Sequence, residues 1–533
     1  MKQTNYHLFD FLDFDTELKT DEALWKACKP TAIYEKDGDI CVTVPFQKQQ
    51  LANDMAADET VPRQESTFII RYYTHNILRL FAGFGEAEMT DRSEMLRLAP
   101  DIRKKPLTVR EDKGEWSVYD AEGRRRALIN LREPVLDYWS DLLPVPQETL
   151  DITFYPDDKK EIRLSAYDHF SPPRYDALPL AYCVKEGHKE RATISFECQP
   201  DEVFAGTGER FYKMDLSGHT FQLKNQDGQG VNNRRAYKNI PFYLSSRMYG
   251  VFYHTSAHSK LSLADHSTRS VQFLSDQAML DVFLIGGNTP EEILCGYRSL
   301  TGFPSMPPLW SFGTWMSRMT YFSADEVTAI CNRLRAEQYP CDVIHLDTGW
   351  FKTDWLCEWK FNDERFPDPK GFIHQLKDNG FRVSLWQLPY VAEDAEQIDE
   401  ARENNYIGPL TKKQDSEGSN FSALDYAGTI DFTYPKAVEW YKGLLKNLLD
   451  MGVTCIKADF GENIHMDAEY HGMSPELLNN LYALLYQKAA YEITKEVTGD
   501  GIIWARAAWA GCQRYPLHWG GDSASTWDGM AVR

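Results

Sequence analysis

Ile456-Lys457-Ala458-Asp459-Phe460-Gly461-Glu462 is the stretch on which the reading of this chain turns. With Val453-Thr454-Cys455 ahead of it, it reads as a short apolar strand that ends in charged groups a packed core would not choose. Five other segments share its character: 310–316, 342–349, 382–389, 501–507 and 516–521. Amphipathic helices lie between them.

Those helices carry clear start and stop signals. Ser323 and Glu326 form a capping box ahead of Val327, Ile330, Cys331 and Leu334, and that helix is expected to stop before Pro340. Pro435 opens another, which carries Tyr441, Leu444, Leu445 and Leu448 up to Gly452. Ser474-Pro475 opens a third, bearing Leu477, Leu478, Leu481, Leu484 and Leu485 and ending before Gly499. Such alternation predicts parallel strands with helical crossovers, either closed as a barrel or open as a doubly wound sheet. An open nucleotide-binding sheet needs a phosphate loop. Its nearest candidate, Gly206-Thr207-Gly208, lacks the third glycine and sits in a β-rich region.

That β-rich region fills roughly the first 300 residues. Ala192, Ile194, Phe196 and Cys198 alternate with Thr193, Ser195, Glu197 and Gln199, the period of a half-buried strand; Ile162, Leu164 and Ala166 repeat it. Turn clusters recur at Asp37-Gly38, Pro156-Asp157-Asp158 and Asp227-Gly228, so an antiparallel β-sandwich is expected. Gly302-Phe303-Pro304-Ser305-Met306-Pro307-Pro308 marks a junction. The expected division is an N-terminal β-sandwich over 1–300 and a (β/α) barrel over 301–533, with the polar stretch 391–430 an excursion from the third strand-to-helix loop.

Length and composition agree with two domains: 533 residues exceed what one core organises. A formal charge of −21, from 79 acidic against 58 basic residues, repels phosphate backbones and anionic membranes. Nucleic acid and membrane are therefore not expected as partners. The start, Met1 to Asp10, has no apolar run after its lysine, and nowhere do 18 apolar residues run together. Ten cysteines without a C-x-x-C pair fit free thiols in a reducing compartment, so a cytoplasmic location is expected. His254 and His258 lack the glutamate of a zinc motif, and no G-x-S-x-G elbow is present. Cys512, near the acidic site, reads as a small buried residue rather than a nucleophile. Neither metal nor cofactor is expected.

In a barrel, reactive groups gather at the carboxyl ends of the strands. Those ends carry His345-Leu346-Asp347, Trp386, Lys457-Ala458-Asp459, Trp504-Ala505-Arg506 and His518-Trp519-Gly520-Gly521-Asp522. Residues two apart share a strand face, which places Lys457 beside Asp459 and favours its ionised, nucleophilic form. Asp522 follows two glycines; partly desolvated and facing another carboxylate, it is expected to hold its proton and act as an acid. Two carboxyls flanking an anomeric carbon are what glycoside hydrolysis requires. Trp350, Trp386 and Trp519 can wall a sugar ring, and Asp347 and Arg506 can bind its hydroxyls. Each charge taken singly can instead be a strand-end cap or an internal ion pair.

At these strands the sequence resembles glycoside hydrolase family 31, and its α-xylosidase-like branch in particular. The resemblance rests on Lys457-Ala458-Asp459-Phe460-Gly461-Glu462, on Trp509-Ala510-Gly511-Cys512-Gln513-Arg514-Tyr515-Pro516 and on His518-Trp519-Gly520-Gly521-Asp522. Upstream, Gly208-Glu209-Arg210-Phe211 and Tyr237-Lys238-Asn239-Ile240-Pro241-Phe242-Tyr243 resemble the family's N-terminal sandwich. The resemblance implies a (β/α)8-type barrel and a retaining, exo-acting α-glycosidase with Asp459 as nucleophile and Asp522 as acid/base. It implies a sugar subsite of Asp347, Trp386, Lys457, Phe460, Arg506 and Trp519, joined by Asp227 from a sandwich loop.

Lys457 and Phe460 stand where the family's α-glucosidases usually carry Trp and Met, which favours xylose. Thr348-Gly349, smaller than the xylosidase branch tends to have, instead leaves room for the hydroxymethyl group of glucose or galactose. With six strands counted and Arg533 only eleven residues past Asp522, the barrel is expected to be C-terminally truncated, the chain a fragment of a longer reading frame. The expected partner is an oligosaccharide or glycoside, with a homo-oligomer possible in principle. A transglycosylase using the same intermediate and a non-catalytic carbohydrate-binding protein are the alternatives.

Overall fold

The computed structural model describes residues 22–48, 62–85, 87–131, 150–164, 178–408 and 428–531. They form two compact units: Met1–Leu223 with Ile240–Gly302, and Lys224–Asn239 with Phe303–Arg533.

The first unit is built on a fifteen-stranded antiparallel sheet and a separate five-stranded one. Strands Tyr249–Tyr253 and Ser270–Ser275 lie far apart in the order of the large sheet, yet the rings of Tyr253 and Phe273 stack with centroids 3.7 Å apart. The sheet therefore doubles back on itself into two layers. Phe68 of the large sheet meets Phe154 of the small one at 6.3 Å. Strand His188–Glu197 shows where alternation misleads. Ala192, Ile194 and Phe196 are buried as their period implies, but Thr193 and Ser195 on the opposite face are buried too, so both faces of this stretch are covered. Leu164 pairs with Phe196, while Ala166 lies outside the described residues.

The second unit has a five-stranded parallel sheet whose strands neighbour one another in chain order: Trp315–Met316, Val343–Leu346, Arg382–Gln387, Cys455–Ala458 and Ile503–Ala505. Sequential parallel order with helical crossovers is barrel topology. The sixth expected strand, 516–521, is represented by a parallel bridge from His518 to Ala505, extended by Ala505 N–H to Leu517 O (2.9 Å) and Trp519 N–H to Ala505 O (3.2 Å). The crossover helices follow the sequence punctuation. Ser323 caps Ala324–Ala336 by accepting from Glu326 N–H; Pro435–Asp450 and Pro475–Thr498 start at their prolines, and Gly499 ends the last one at φ 82°.

Between Gln387 and Pro435 the chain leaves the barrel. Tyr390–Val391 pairs antiparallel with Gly428–Thr429, and Ile398–Glu403 forms a short helix; residues 409–427 of this stretch lie outside the described residues.

Lys224–Asn239, which the sequence places inside the first domain, packs within the second unit instead. Buried asparagine amides hold it there. Asn225 Nδ2 donates to Ala508 O (3.0 Å), Asn225 N–H to Asn480 Oδ1 (2.8 Å), and Asn239 Nδ2 to Asn225 Oδ1 (2.9 Å). Buried amides satisfied by one another fix a loop position firmly, since parting them would strand donors without water.

Candidate active site

The carboxyl ends of the parallel strands open into a cavity of about 900 Å³. Asp227, Asp347, Trp386, Lys457, Asp459, Phe460, Arg506 and Asp522 all line it, with Trp355 and Met319 among further residues on its wall. Trp519 backs the cavity instead, its ring centroid 4.9 Å from Lys457 Nζ, with Trp504 at the same distance. Trp350, expected on the wall, is fully buried and donates its indole N–H to Trp386 O (2.9 Å). Thr348 and Gly349 are likewise buried off the cavity; a Cβ on Gly349 would stand 2.2 Å from Thr320 Oγ1. Their small size therefore makes no room for a larger sugar.

Asp459 sits one residue past its strand, 6% exposed. Its Oδ2 accepts from Trp386 Nε1 (2.7 Å) and its Oδ1 from Phe460 N–H (2.8 Å), while Tyr486 Oη donates to its main-chain O (3.2 Å). The backbone then turns through the left-handed region at Phe460 (φ 60°) and Gly461 (φ 86°). For a phenylalanine this is strained, and such strain is kept where surroundings over-determine it. Here it lays the Phe460 ring 4.1 Å from the Arg506 guanidinium.

Lys457 was expected to serve Asp459. Its Nζ is 3.1 Å from Asp347 Oδ2 but 3.7 Å from Asp459 Oδ2, so the lysine reaches across the barrel end to the aspartate after Val343–Leu346, two strands away in the sheet, more closely than to the one on its own strand. Asp347 also accepts from His345 Nε2 (2.9 Å) and Thr348 N–H (3.1 Å). Burial opposes its ionisation, yet His345 and Lys457 hold its carboxyl below the ordinary value. Burial pushes His345 down, which favours the neutral imidazole.

Arg506, 1% exposed, is the hub. Its Nε lies 3.2 Å from Asp459 Oδ1, its Nη1 donates to Asp522 Oδ2 (2.8 Å), and its Nη2 pairs with Glu462 Oε1 and lies 3.7 Å from Asp227 Oδ2. The guanidinium is also 4.8 Å from the Tyr237 ring. Asp522 differs from Asp459 in surroundings: its side chain is 51% exposed against 8%. Desolvation raises its pKa, Arg506 opposes, and the charge of Asp459 adds to the rise. The glycine ahead of it is required by close approach: Gly521 has φ 82°, and a Cβ there would stand 2.3 Å from Tyr237 Cε2.

Glu462 and Tyr237 both stand in motifs noted in the sequence, but neither is assigned a place in the site there; the Tyr237 ring stands over Arg506. The three-residue step from Asp459 across a Phe-Gly turn was the available signal for Glu462. Burial, offset by Arg506, pushes Glu462 up to about 7. Among the described residues, five carboxyls thus surround Lys457 and Arg506, so acidic groups outnumber the cations at the cavity. Among the described residues no group of three His, Cys, Asp or Glu is arranged to hold a metal ion, and no helix is long and apolar enough to cross a membrane.

The sequence model for the TIM-barrel domain of glycosyl hydrolases family 31 matches residues 304–533, and that for the family's N-terminal galactose mutarotase-like domain matches residues 67–261. The chain belongs to glycoside hydrolase family 31. An α-xylosidase of Emericella nidulans is 37% identical over 338 residues, 62% of this chain and 43% of that protein. An α-xylosidase of Lactiplantibacillus pentosus is 37% identical over 317 residues, 58% of this chain and 41% of that protein. This family 31 chain is therefore α-xylosidase-like in sequence, and the matches span less than half the length of those relatives. The crystal structure of a family 31 α-xylosidase from a soil metagenome, complexed with xylose, superposes with a TM-score of 0.72 at 23% identity, covering 88% of this chain and 67% of that one. At that identity the likeness is one of fold.

Proposed function

We propose that the chain carries the catalytic centre of a retaining, exo-acting α-glycosidase that releases terminal α-linked xylose. The observation that carries this reading is Arg506 touching two carboxyls of opposite character. Asp459 is buried and takes two hydrogen bonds, while Asp522 is half exposed with its pKa raised. Asp459 is the nucleophile and Asp522 the acid/base.

Asp522 gives its proton to the leaving oxygen while Asp459 attacks the anomeric carbon, forming a glycosyl-enzyme. As the leaving group departs, the ring gains oxocarbenium character, and the surplus of negative charge over Lys457 and Arg506 stabilises that positive charge. Asp522, now ionised, takes a proton from water, and the incoming oxygen displaces Asp459 with configuration retained. Lys457 and Asp347 are set to bind sugar hydroxyls, and Asp227 closes one side of the subsite.

Xylose is preferred because the two α-xylosidases are 37% identical to the chain, and because the space expected at Thr348-Gly349 for a hydroxymethyl group lies off the cavity. Hydrolysis of aryl α-xyloside against aryl α-glucoside tests the substrate, and NMR of the first-formed anomer tests retention. Turnover unchanged in both Asp459→Ala and Asp522→Ala would remove the assignment. A β-anomer product would remove the retaining mechanism.

A further inference from the structure

Glu462 stands apart from the other acids of the site. It is fully buried and absent from the cavity lining, and among the described residues only one of its carboxylate oxygens has a partner: Oε1 pairs with Arg506 Nη2, while Oε2 is buried with no hydrogen-bond partner. A buried carboxylate oxygen without a donor is costly, and a proton placed on it removes most of that cost. The main chain of Glu462 is fixed from the helix Pro475–Thr498, where Asn479 Nδ2 donates to its O (3.0 Å).

Among the described residues, the charged and titratable groups around it come from four elements. Arg506 follows the strand Ile503–Ala505, Asp459 follows Cys455–Ala458, Asp227 comes from the Lys224–Asn239 segment, and Tyr390 comes from the Tyr390–Val391 pair. Tyr390 cannot supply the missing proton, since its hydroxyl donates to Asn463 O (2.7 Å). Among the described residues Arg506 is the one cation in contact, and it is shared with Asp459, Asp522 and Asp227.

We propose that Glu462 is the positioning residue for Arg506: one oxygen anchors the guanidinium that touches both Asp459 and Asp522, and proton exchange at the other resets the charge those two feel. The role assigned to Asp522 in this proposal rests on the glycosidase reading above. With Glu462 protonated at Oε2, Oε1 still accepts from Arg506 Nη2, but the guanidinium no longer shares its charge with that carboxyl. With Glu462 ionised, a further negative charge enters the cluster and makes Asp522 hold its proton more tightly. Burial, offset by Arg506, places that change at about 7.

Two variants separate anchoring from charge. Glu462→Gln keeps an acceptor for Arg506 and removes the titration; Glu462→Leu removes both. The pH profiles of kcat/KM on aryl α-xyloside are expected to show the leucine variant roughly 100-fold down at all pH and the glutamine variant roughly tenfold less impaired. The alkaline limb of the glutamine variant moves to lower pH, because the extra charge that delays ionisation of Asp522 is gone. Thermal unfolding without substrate gives an independent reading. A carboxyl raised from 4.5 to about 7 weakens the folded state as pH climbs through that window. The Tm of Glu462→Gln relative to wild type therefore rises by a few degrees between those values and stays level above them.

Equal impairment of both variants with an unmoved alkaline limb would make Glu462 merely structural. A Tm difference that is flat with pH would show that it does not titrate there. If wild type hydrolyses no glycoside, the glycosidase reading fails, and the Tm series still decides whether Glu462 titrates.

Discussion

Trp386 donates its indole N–H to Oδ2 of Asp459 across 2.7 Å, and both groups are buried. A short bond between two buried groups pins the carboxyl in one rotamer, leaving Oδ1 to the Phe460 amide. Trp386→Phe keeps the wall and deletes the donor. On an aryl α-xyloside its kcat is expected to fall by about ten- to hundredfold with KM little moved. A change confined to KM would make Trp386 a wall residue only.

Asp522 is the carboxyl whose pKa is raised, by desolvation first and against the pull of Arg506. It keeps its proton to higher pH than an ordinary carboxyl, so kcat/KM should hold up through mildly acidic pH and decline once Asp522 ionises. Asp522→Asn should abolish that decline. It should cost roughly 100-fold or more on substrates with poor leaving groups and far less on activated aryl glycosides, where protonation matters less. Equal losses on both would argue against acid catalysis by Asp522.

Asp347 has the opposite shift. Burial opposes ionisation, but His345 and Lys457 hold the carboxyl below its ordinary 3.8. Its stabilising contribution is complete above that ordinary value and is lost as pH falls through the lowered folded one. Asp347→Asn should therefore lower Tm at pH 7 by several degrees, with the gap closing as pH drops below about 4. A gap independent of pH, measured by thermal unfolding, would point to packing rather than charge.

Gly521→Ala would place a methyl group 2.3 Å from Tyr237 Cε2 at φ 82°. The expected cost is about 2–4 kcal/mol of stability, from left-handed strain plus overpacking. Activity at a temperature where the variant is still folded should also fall, because Tyr237 is wedged against both Arg506 and the main chain of Asp522. Unchanged kcat/KM there would show that the Tyr237–Gly521 contact is only structural.

The parallel-strand half of the fold was legible because its signals are local: proline at the first helical position, serine caps, and short apolar strands ending in charge. Asp459, Asp522, Asp347, Lys457 and Arg506 could be singled out by position on those strands. What the sequence could not carry were relationships across strands. Position along the strand pairs Lys457 with the aspartate two residues away, whereas Asp347, from a strand two places off in the sheet, lies nearer. Trp350 was given a place on the cavity wall, but its strand end turns it beneath Trp386. Glu462 passed unassigned because its importance lies in a partner 44 residues further on. Thr193 and Ser195 alternate like surface residues and are buried, since period alone does not say how many layers cover a sheet.

Asp227 reaches the cavity on a segment that interrupts the first unit in chain order yet is held by amide bonds to Asn480 and Ala508 in the second. Cutting the gene at the proline-rich junction near residue 304 would therefore not yield a self-sufficient catalytic module. Such a product would lack one wall of the pocket, would leave the Asn480 amide oxygen without the N–H it accepts from, and would free Arg506 from one of its four acidic neighbours. Any scheme that grafts, shuffles or expresses this barrel alone has to bring the sixteen-residue insert with it.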